Sequence, residues 1–363
     1  MESVNRTQTM DATDRRCPQC GAELSYDATR KGLFCSYCEY REEVKTEVPD
    51  EENRAEEVDL FSEIPVSGYE WGTETKTVIC ESCGAETIYD SLQLSDVCPY
   101  CGGNHVMKAS ENVETLAPGG VVPFQIDVNT ASRKFQKWIK GKLFCPRAAK
   151  QNAKPDHFQG VYLPYWTYDC NTTSQYRAKY GITRTRNVNG KSTTYTEWHN
   201  TAGVYSMFHN DVLVSASKRH DKNLLSTVEP FDTEQNKKYQ PEYLAGYLAE
   251  RYSVGLQEGF AAAKTKMDQA VRNGISEQIR NRFHASTVSI QELRTNFIKP
   301  SYKYLMLPLW MSSFEYKQKI YRFLVNGQTG KVGGKAPVSA IRVVIAVLIV
   351  LAILLLLFYG IEA

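Results

Sequence analysis

Eight of the ten cysteines in this 363-residue chain fall into four pairs, each with two residues between partners. Cys17-Pro18-Gln19-Cys20-Gly21 is followed by Cys35-Ser36-Tyr37-Cys38, and Cys80-Glu81-Ser82-Cys83-Gly84 by Cys98-Pro99-Tyr100-Cys101-Gly102. Cysteines at this spacing can turn both sulfurs onto one ion, and the adjacent Pro and Gly favour the tight turn required. Two such knuckles offer four thiolates, the donor set of a closed tetrahedral zinc site. With four sulfurs bound, no coordination position stays open for water or substrate, so the expected chemistry is structural. A rubredoxin-like iron site is the alternative that the same thiolates allow. Two Zn2+ ions are expected, one on Cys17, Cys20, Cys35 and Cys38, the other on Cys80, Cys83, Cys98 and Cys101. His105, just after the last pair, is superfluous as a ligand and reads as a surface residue.

The elements that hold these pairs repeat. Each cysteine of the second set lies 63 positions after its counterpart, Gly21-Ala22-Glu23 recurs as Gly84-Ala85-Glu86, and Tyr26-Asp27 as Tyr89-Asp90. Two small domains of one design are therefore expected, over 17–45 and 73–108. A unit of about 25–30 residues buries little core, so metal binding must supply most of its folding free energy, roughly 10–16 kcal/mol apparent at neutral pH.

Cysteines used in metal-binding pairs point to a reducing compartment. Cys145 and Cys170 stand alone and read as small buried hydrophobes. Residues 1–16 are polar and mixed in charge, with no apolar stretch of signal-peptide type, and are expected to be disordered. The net charge of +2 conceals an asymmetry. Residues 1–116 hold 10 Lys+Arg against 24 Asp+Glu, whereas 117–363 hold 33 against 17. The ribbon half is acidic, a poor footprint for nucleic-acid phosphates. Residues 46–72 read as a solvated acidic linker.

From 117 to 336 the sequence predicts a basic α+β domain with an antiparallel sheet. Asp127 or Asn129 can cap a helix over 130–142, whose polar side carries Arg133, Lys134, Lys137, Lys140 and Lys142. Antiparallel β-structure is expected over 160–217, with turns at Asn187-Val188-Asn189-Gly190 and at His209-Asn210-Asp211. Helices follow over 241–251 and 255–283; in the second, Leu256, Phe260, Ala263, Met267, Ala270, Val271, Ile275 and Ile279 recur at helical spacing. Pro123-Phe124, helix, Leu163-Pro164-Tyr165-Trp166 resembles Pro230-Phe231, helices, Leu307-Pro308-Leu309-Trp310, which suggests an internal duplication. Asn326-Gly327-Gln328-Thr329-Gly330-Lys331 lacks the spacing of a phosphate loop and reads as a tight turn between strands. No hydrolase or helicase motif is found. His199, His209 and Asp211 are the residues that acid/base chemistry would use, although histidines near hairpin turns are usually structural.

Val343 to Tyr359 carries no charge, and 340–359 is expected to be a single transmembrane helix. Lys331, Lys335 and Arg342 before it place the ribbons in the cytoplasm by the positive-inside rule, giving a C-terminally anchored, single-pass protein of the cell membrane.

The doubled knuckles, Leu163-Pro164-Tyr165-Trp166, Trp198-His199, Asn210-Asp211-Val212-Leu213-Val214 and Leu324-Val325-Asn326-Gly327-Gln328-Thr329-Gly330-Lys331-Val332 resemble the bacterial membrane proteins of the transcription-factor-IIB-type zinc-ribbon family. Such proteins are often described by analogy with the zinc region of a primosomal helicase. The resemblance implies the eight cysteines as zinc ligands. For some members it also implies partners in a membrane-stress module, a phage-shock-type coat protein and a flotillin-like scaffold at the inner membrane surface. The function expected is a non-enzymatic, zinc-binding, membrane-anchored adaptor. The alternative is a membrane-tethered nucleic-acid binder, using Tyr176, Arg177, Lys179, Tyr180, Arg184 and Arg186 for stacking and phosphate contacts.

Overall fold

A computed structural model of the chain describes residues 17–22, 24–27, 29–44, 53–62, 76–80, 86–89, 106–108, 116–153, 158–188 and 191–362. The expected disordered N-terminus, and the turn residues Asn189 and Gly190, lie outside them.

The first ribbon is a three-stranded antiparallel sheet of β1 (Leu24–Asp27), β2 (Gly32–Cys35) and β3 (Arg41–Glu43). Then β4 (Val58–Asp59) pairs with the main sheet. In the second ribbon region, β5 (Lys76–Cys80) pairs with β6 (Glu86–Tyr89) and β7 (Val106–Lys108). The body begins with β8 (Gly120–Val121), α1 (Val128–Gly141) and α2 (Arg147–Asn152). Two long strands follow, β9 (Gln159–Val188) and β10 (Lys191–Ser215), then α3 (Lys222–Ser226), β11 (Lys237–Lys238) and β12 (Leu248–Glu250). The chain continues through α4 (Leu256–Phe283), β13 (Thr287–Tyr316), β14 (Lys319–Asn326), β15 (Val332–Gly334) and α5 (Ala340–Glu362).

β9 is the central strand, paired antiparallel with β10 on one side and with β13 on the other. Thirty residues at about 3.3 Å each make it roughly 100 Å long. Burial divides it in two. From Val161 to Tyr168 every residue is buried, the pattern of a strand covered on both faces. From Asn171 onward, Thr172, Ser174, Tyr176 and Ala178 are buried while Asn171, Gln175, Arg177 and Lys179 are exposed. This second half is an arm of three strands, covered on one face alone by α4. The helix presents Ala263, Met267, Val271, Ile275 and Ile279 to it, the stripe that the sequence predicts. Glycines let it come close. A Cβ at Gly259 would sit 2.8 Å from Trp166 Cδ1 and against the Tyr168 hydroxyl, and one at Gly274 would strike the Tyr205 hydroxyl. Gly259→Val should therefore lift the helix off the arm and destabilise the protein by about 1–3 kcal/mol, read as a lower unfolding midpoint with a shift in tryptophan emission.

The body contains two strand–helix–strand units of matching design, and the second begins at a different anchor from the expected Pro230-Phe231. β8, α1 and β9 form one strand–helix–strand unit; β12, α4 and β13 form the other. The short strands are exchanged: β8 runs parallel to β13, and β12 parallel to β9. Leu163 and Leu307 face each other across the joint. The Trp166 indole N–H donates to Val254 O, just before α4, and the Trp310 indole N–H donates to Ile126 O, just before α1. Trp166 packs on Tyr252 and Trp310 on Phe124. The counterpart of Phe124 is thus Tyr252.

Four further expectations are corrected. His209-Asn210-Asp211 is no hairpin turn but a bulge inside β10, with Asp211 at φ 48. The predicted helix over 241–251 is a 3-10 turn at Pro241–Leu244 followed by β12, because Gly246 at φ +80 breaks the helical path. Part of the predicted linker is docked: Asn53 and Leu60 are buried, and Val58 and Asp59 pair with Tyr302 and Ser301. Lastly, among the described residues no helix is long and apolar enough to cross a membrane. The transmembrane helix at 340–359, the single-pass anchor, the cell-membrane localisation and the partners at the inner membrane surface are not upheld. Arg342 instead donates to Leu143 O and Cys145 O, tying the start of α5 to the α1–α2 connection. The turn expected at 326–331 is present between β14 and β15, closed by Gly330 N–H to Asn326 O.

Candidate metal centre

The two knuckles of the first ribbon are near copies in backbone geometry. Gly21 N–H donates to Cys17 O at 2.8 Å, and Glu39 N–H to Cys35 O at 3.1 Å. Both donors follow the second cysteine of their pair, and both have left-handed backbone, φ +74 at Gly21 and φ 62 at Glu39. Cys17 N–H and Cys35 N–H in turn donate to Ala22 O and Tyr40 O. The turns point four sulfurs inward. Cys17 Sγ lies 3.3 Å from Cys38 Sγ and Cys20 Sγ 3.5 Å from Cys35 Sγ, and all four lie within 4.8 Å of one another. Sulfurs at about 2.3 Å from a tetrahedral ion would stand about 3.8 Å apart, so the cluster has the dimensions to bind one metal ion. The N–H groups of Cys38 and Tyr37 pull the Cys35 thiol down to about 7, while the crowding of the other sulfurs raises those of Cys20 and Cys38.

This ribbon is seated on the body rather than suspended from it. Tyr26 N–H donates to Ala245 O at 3.0 Å, the Tyr247 hydroxyl donates to Tyr26 O at 3.0 Å, and the Tyr26 and Tyr243 rings meet edge-on. A Cβ on Gly246 would lie 2.6 Å from Ser25 Cβ, so this contact needs glycine. A few residues on, β12 carries the second ribbon region: Ala249 pairs with Ile88 and Glu250 with Thr87. One segment, Pro241–Glu250, therefore receives both ribbons. Sequence reasoning missed it by reading 241–251 as one helix; Gly246 was the available signal.

Of the second cysteine set, Cys80 ends β5, while Cys83, Cys98 and Cys101 lie outside the described residues, as does His105.

Beneath the shared segment, Glu250 is fully buried and accepts from three donors: Ser217 Oγ at 2.6 Å, His220 Nε2 at 2.9 Å and Arg219 at 3.2 Å. A second polar cluster sits at the base of the arm. Lys303 Nζ pairs with Asp211 Oδ1 at 2.7 Å and with Glu57, and Asp211 N–H donates to Asp169 Oδ1. Glu57, Asp169 and Asp211 are close enough to hold a cation, and the Lys303 ammonium fills that role. Burial alone would lower the Lys303 pKa, but Asp211 and Glu57 outweigh it and hold it above 10.5. A raised lysine pKa stabilises below its unfolded value and loses that contribution as pH rises through the folded one. Lys303→Met should destabilise by about 2 kcal/mol at neutral pH, with the difference from wild type shrinking in alkaline melts.

His209 is buried, with Nε2 at 3.0 Å from Thr172 Oγ1, and burial lowers its pKa. His199 is half-exposed, 3.5 Å from Glu197. The structure does not bring these two histidines and Asp211 into one cluster. Cys145 and Cys170 are buried thiols, as expected. Tyr176 is buried against α4, and Tyr180 stacks between Phe283 and His199, so these rings are not offered beside Arg177 and Lys179. The basic residues Arg133, Lys137 and Lys140 line an open surface hollow of about 480 Å³ on α1.

No family model and no solved structure matches the chain. Among curated proteins, the uncharacterized protein YdjG of Bacillus subtilis (strain 168) is 30% identical over 325 residues, which cover 89% of this chain and 90% of the relative.

Proposed function

Since this chain belongs to the same family as the uncharacterized protein YdjG of Bacillus subtilis, we propose that it is a non-enzymatic, zinc-stabilised adaptor that docks other proteins. The observation that carries this reading is the seating of the first ribbon and of the β5–β7 strands on Pro241–Glu250, at the foot of an arm roughly 60 Å long. Cys17, Cys20, Cys35 and Cys38 would hold one zinc ion, and Cys80, Cys83, Cys98 and Cys101 a second. Bound zinc supplies a closed cross-link there, with no open position for a reaction. The ribbons then act as rigid blocks whose outer surfaces, together with the arm, are available to partners.

Capture of partners with the full-length chain tests this, run beside a Cys80→Ser, Cys83→Ser variant and in the presence of nuclease. Proteins retained by the wild type and lost from the variant are the expected result. Nucleic acid protected from the nuclease by the wild-type chain would contradict it and favour a nucleic-acid binder, for which Arg177, Lys179, Arg184 and Arg186 supply the charge.

A further inference from the structure

Among the described residues β10 pairs with β9 alone, so its other side is an edge along the whole arm. An edge strand exposes unpaired N–H and C=O groups, and proteins ordinarily blunt such edges with Lys, Pro or other charges. Here charge is distributed the other way. From Ser192 to Asn210 the strand has no Lys, Arg or Pro, and its single carboxylate, Glu197, is 3.2 Å from Arg184 on β9. The central strand carries Arg177, Lys179, Arg184 and Arg186, while the edge is built of Thr, Tyr, Trp, Val and Phe, residues that favour strands.

The face of β10 away from α4 shows a further regularity. Trp198, Val204 and Phe208 are 52%, 60% and 56% exposed, on the alternate positions of the strand that α4 does not cover. Trp198 and Phe208 lie five residues to either side of Gly203. If two copies of β10 run antiparallel about Gly203, Trp198 of each copy stands opposite Phe208 of the other. Val204 then stands opposite Ala202, and Glu197 opposite His209. Cross-strand aromatic pairs stabilise a sheet, and this register forms the pair twice with no like charges opposed. The two α4 helices fall on the same side of the joined sheet, so the aromatic faces stay together on the other.

We propose that the β10 edge is a self-association surface, on which a second copy of this chain adds its own β10 antiparallel about Gly203 to make a six-stranded arm. The self-complementary register selects a second copy over a foreign strand. It also follows the usual preference of homo-oligomers for a twofold interface, where one patch meets itself.

The test uses the full-length chain in mild detergent, which keeps the exposed apolar side chains of α5 apart. Light scattering with size exclusion should give a dimer for the wild type. Val204→Lys puts one ammonium per copy into the paired edge and should weaken self-association about tenfold or more, with circular dichroism and metal content unchanged. Should V204K disturb the circular dichroism, Ser206→Lys, also on the open face, replaces it. A photo-reactive p-benzoylphenylalanine at position 204 should cross-link to residues 200–206 of a second copy. A monomeric wild type, a lysine variant as dimeric as the wild type, or cross-links that map to α5 or to a different protein would each overturn the proposal.

Discussion

Cys35→Ser should remove one equivalent of bound zinc and unfold the first ribbon while leaving the long strands intact. Cys35 is fully buried, belongs to the four-sulfur cluster, and begins the second knuckle through its carbonyl bond to Glu39 N–H. Among its described residues the ribbon's own buried apolar side chains are Leu24, Tyr26 and Leu33 beside Cys17 and Cys35. Against roughly 10–16 kcal/mol of apparent metal-binding free energy, a core of three side chains cannot keep the ribbon folded alone. Metal analysis should fall from two equivalents to one. Trypsin should cut at Arg30 and Lys31, which connect β1 and β2, and the wild type should resist cleavage there. A variant that keeps its full metal content would show that the cluster is not the binding site.

Glu250→Ala should be the most destabilising single change in the body, about 3–5 kcal/mol. Its carboxylate is fully buried and accepts from Ser217, Arg219 and His220. The side chain of Arg219 is 15% exposed and that of His220 10%, so water screens neither well once the acceptor is gone. The loss corresponds to a fall of roughly 10 °C in the unfolding midpoint for a body of this size. Since Glu250 lies on β12, paired with Thr87 and next to the Ala249–Tyr162 pair, the second ribbon region should loosen in the same transition. Glu250→Gln keeps an acceptor and should lose clearly less. Equal losses for the two variants would mean that the negative charge itself, and neither the packing nor the remaining acceptor, dominates the site.

The first ribbon's cysteine cluster and the arm helix were legible because each depends on local pattern. Paired cysteines at fixed spacing dictate a knuckle, and an apolar residue every third or fourth position dictates a covered helix face. What was hidden depends on partners distant in sequence. Trp166 reports on Val254 and Trp310 on Ile126, so the duplication could be sensed from the Leu-Pro motifs while its true anchor at Tyr252 could not. The bulge at Asp211 has the composition of a turn, yet β9 continues past it and carries β10 along. Leu244, Tyr247 and Leu248 suit a helix by spacing, and the left-handed Gly246 that excludes one is decided by the approach of Ser25. The docked stretch at 53–62 reads as solvated because of its charge, but Glu57 is held by Lys303 and Ser301.

The most direct test of this account is hydrogen–deuterium exchange of the full-length chain across Pro241–Glu250, with zinc bound and after chelation. If metal-built ribbons brace this segment from both sides, chelation should raise exchange in the ribbon strands and in 241–250 together, while the α4-covered part of β9 stays protected. If chelation deprotects the ribbons but leaves 241–250 unchanged, the ribbons do not brace the body and the central claim fails.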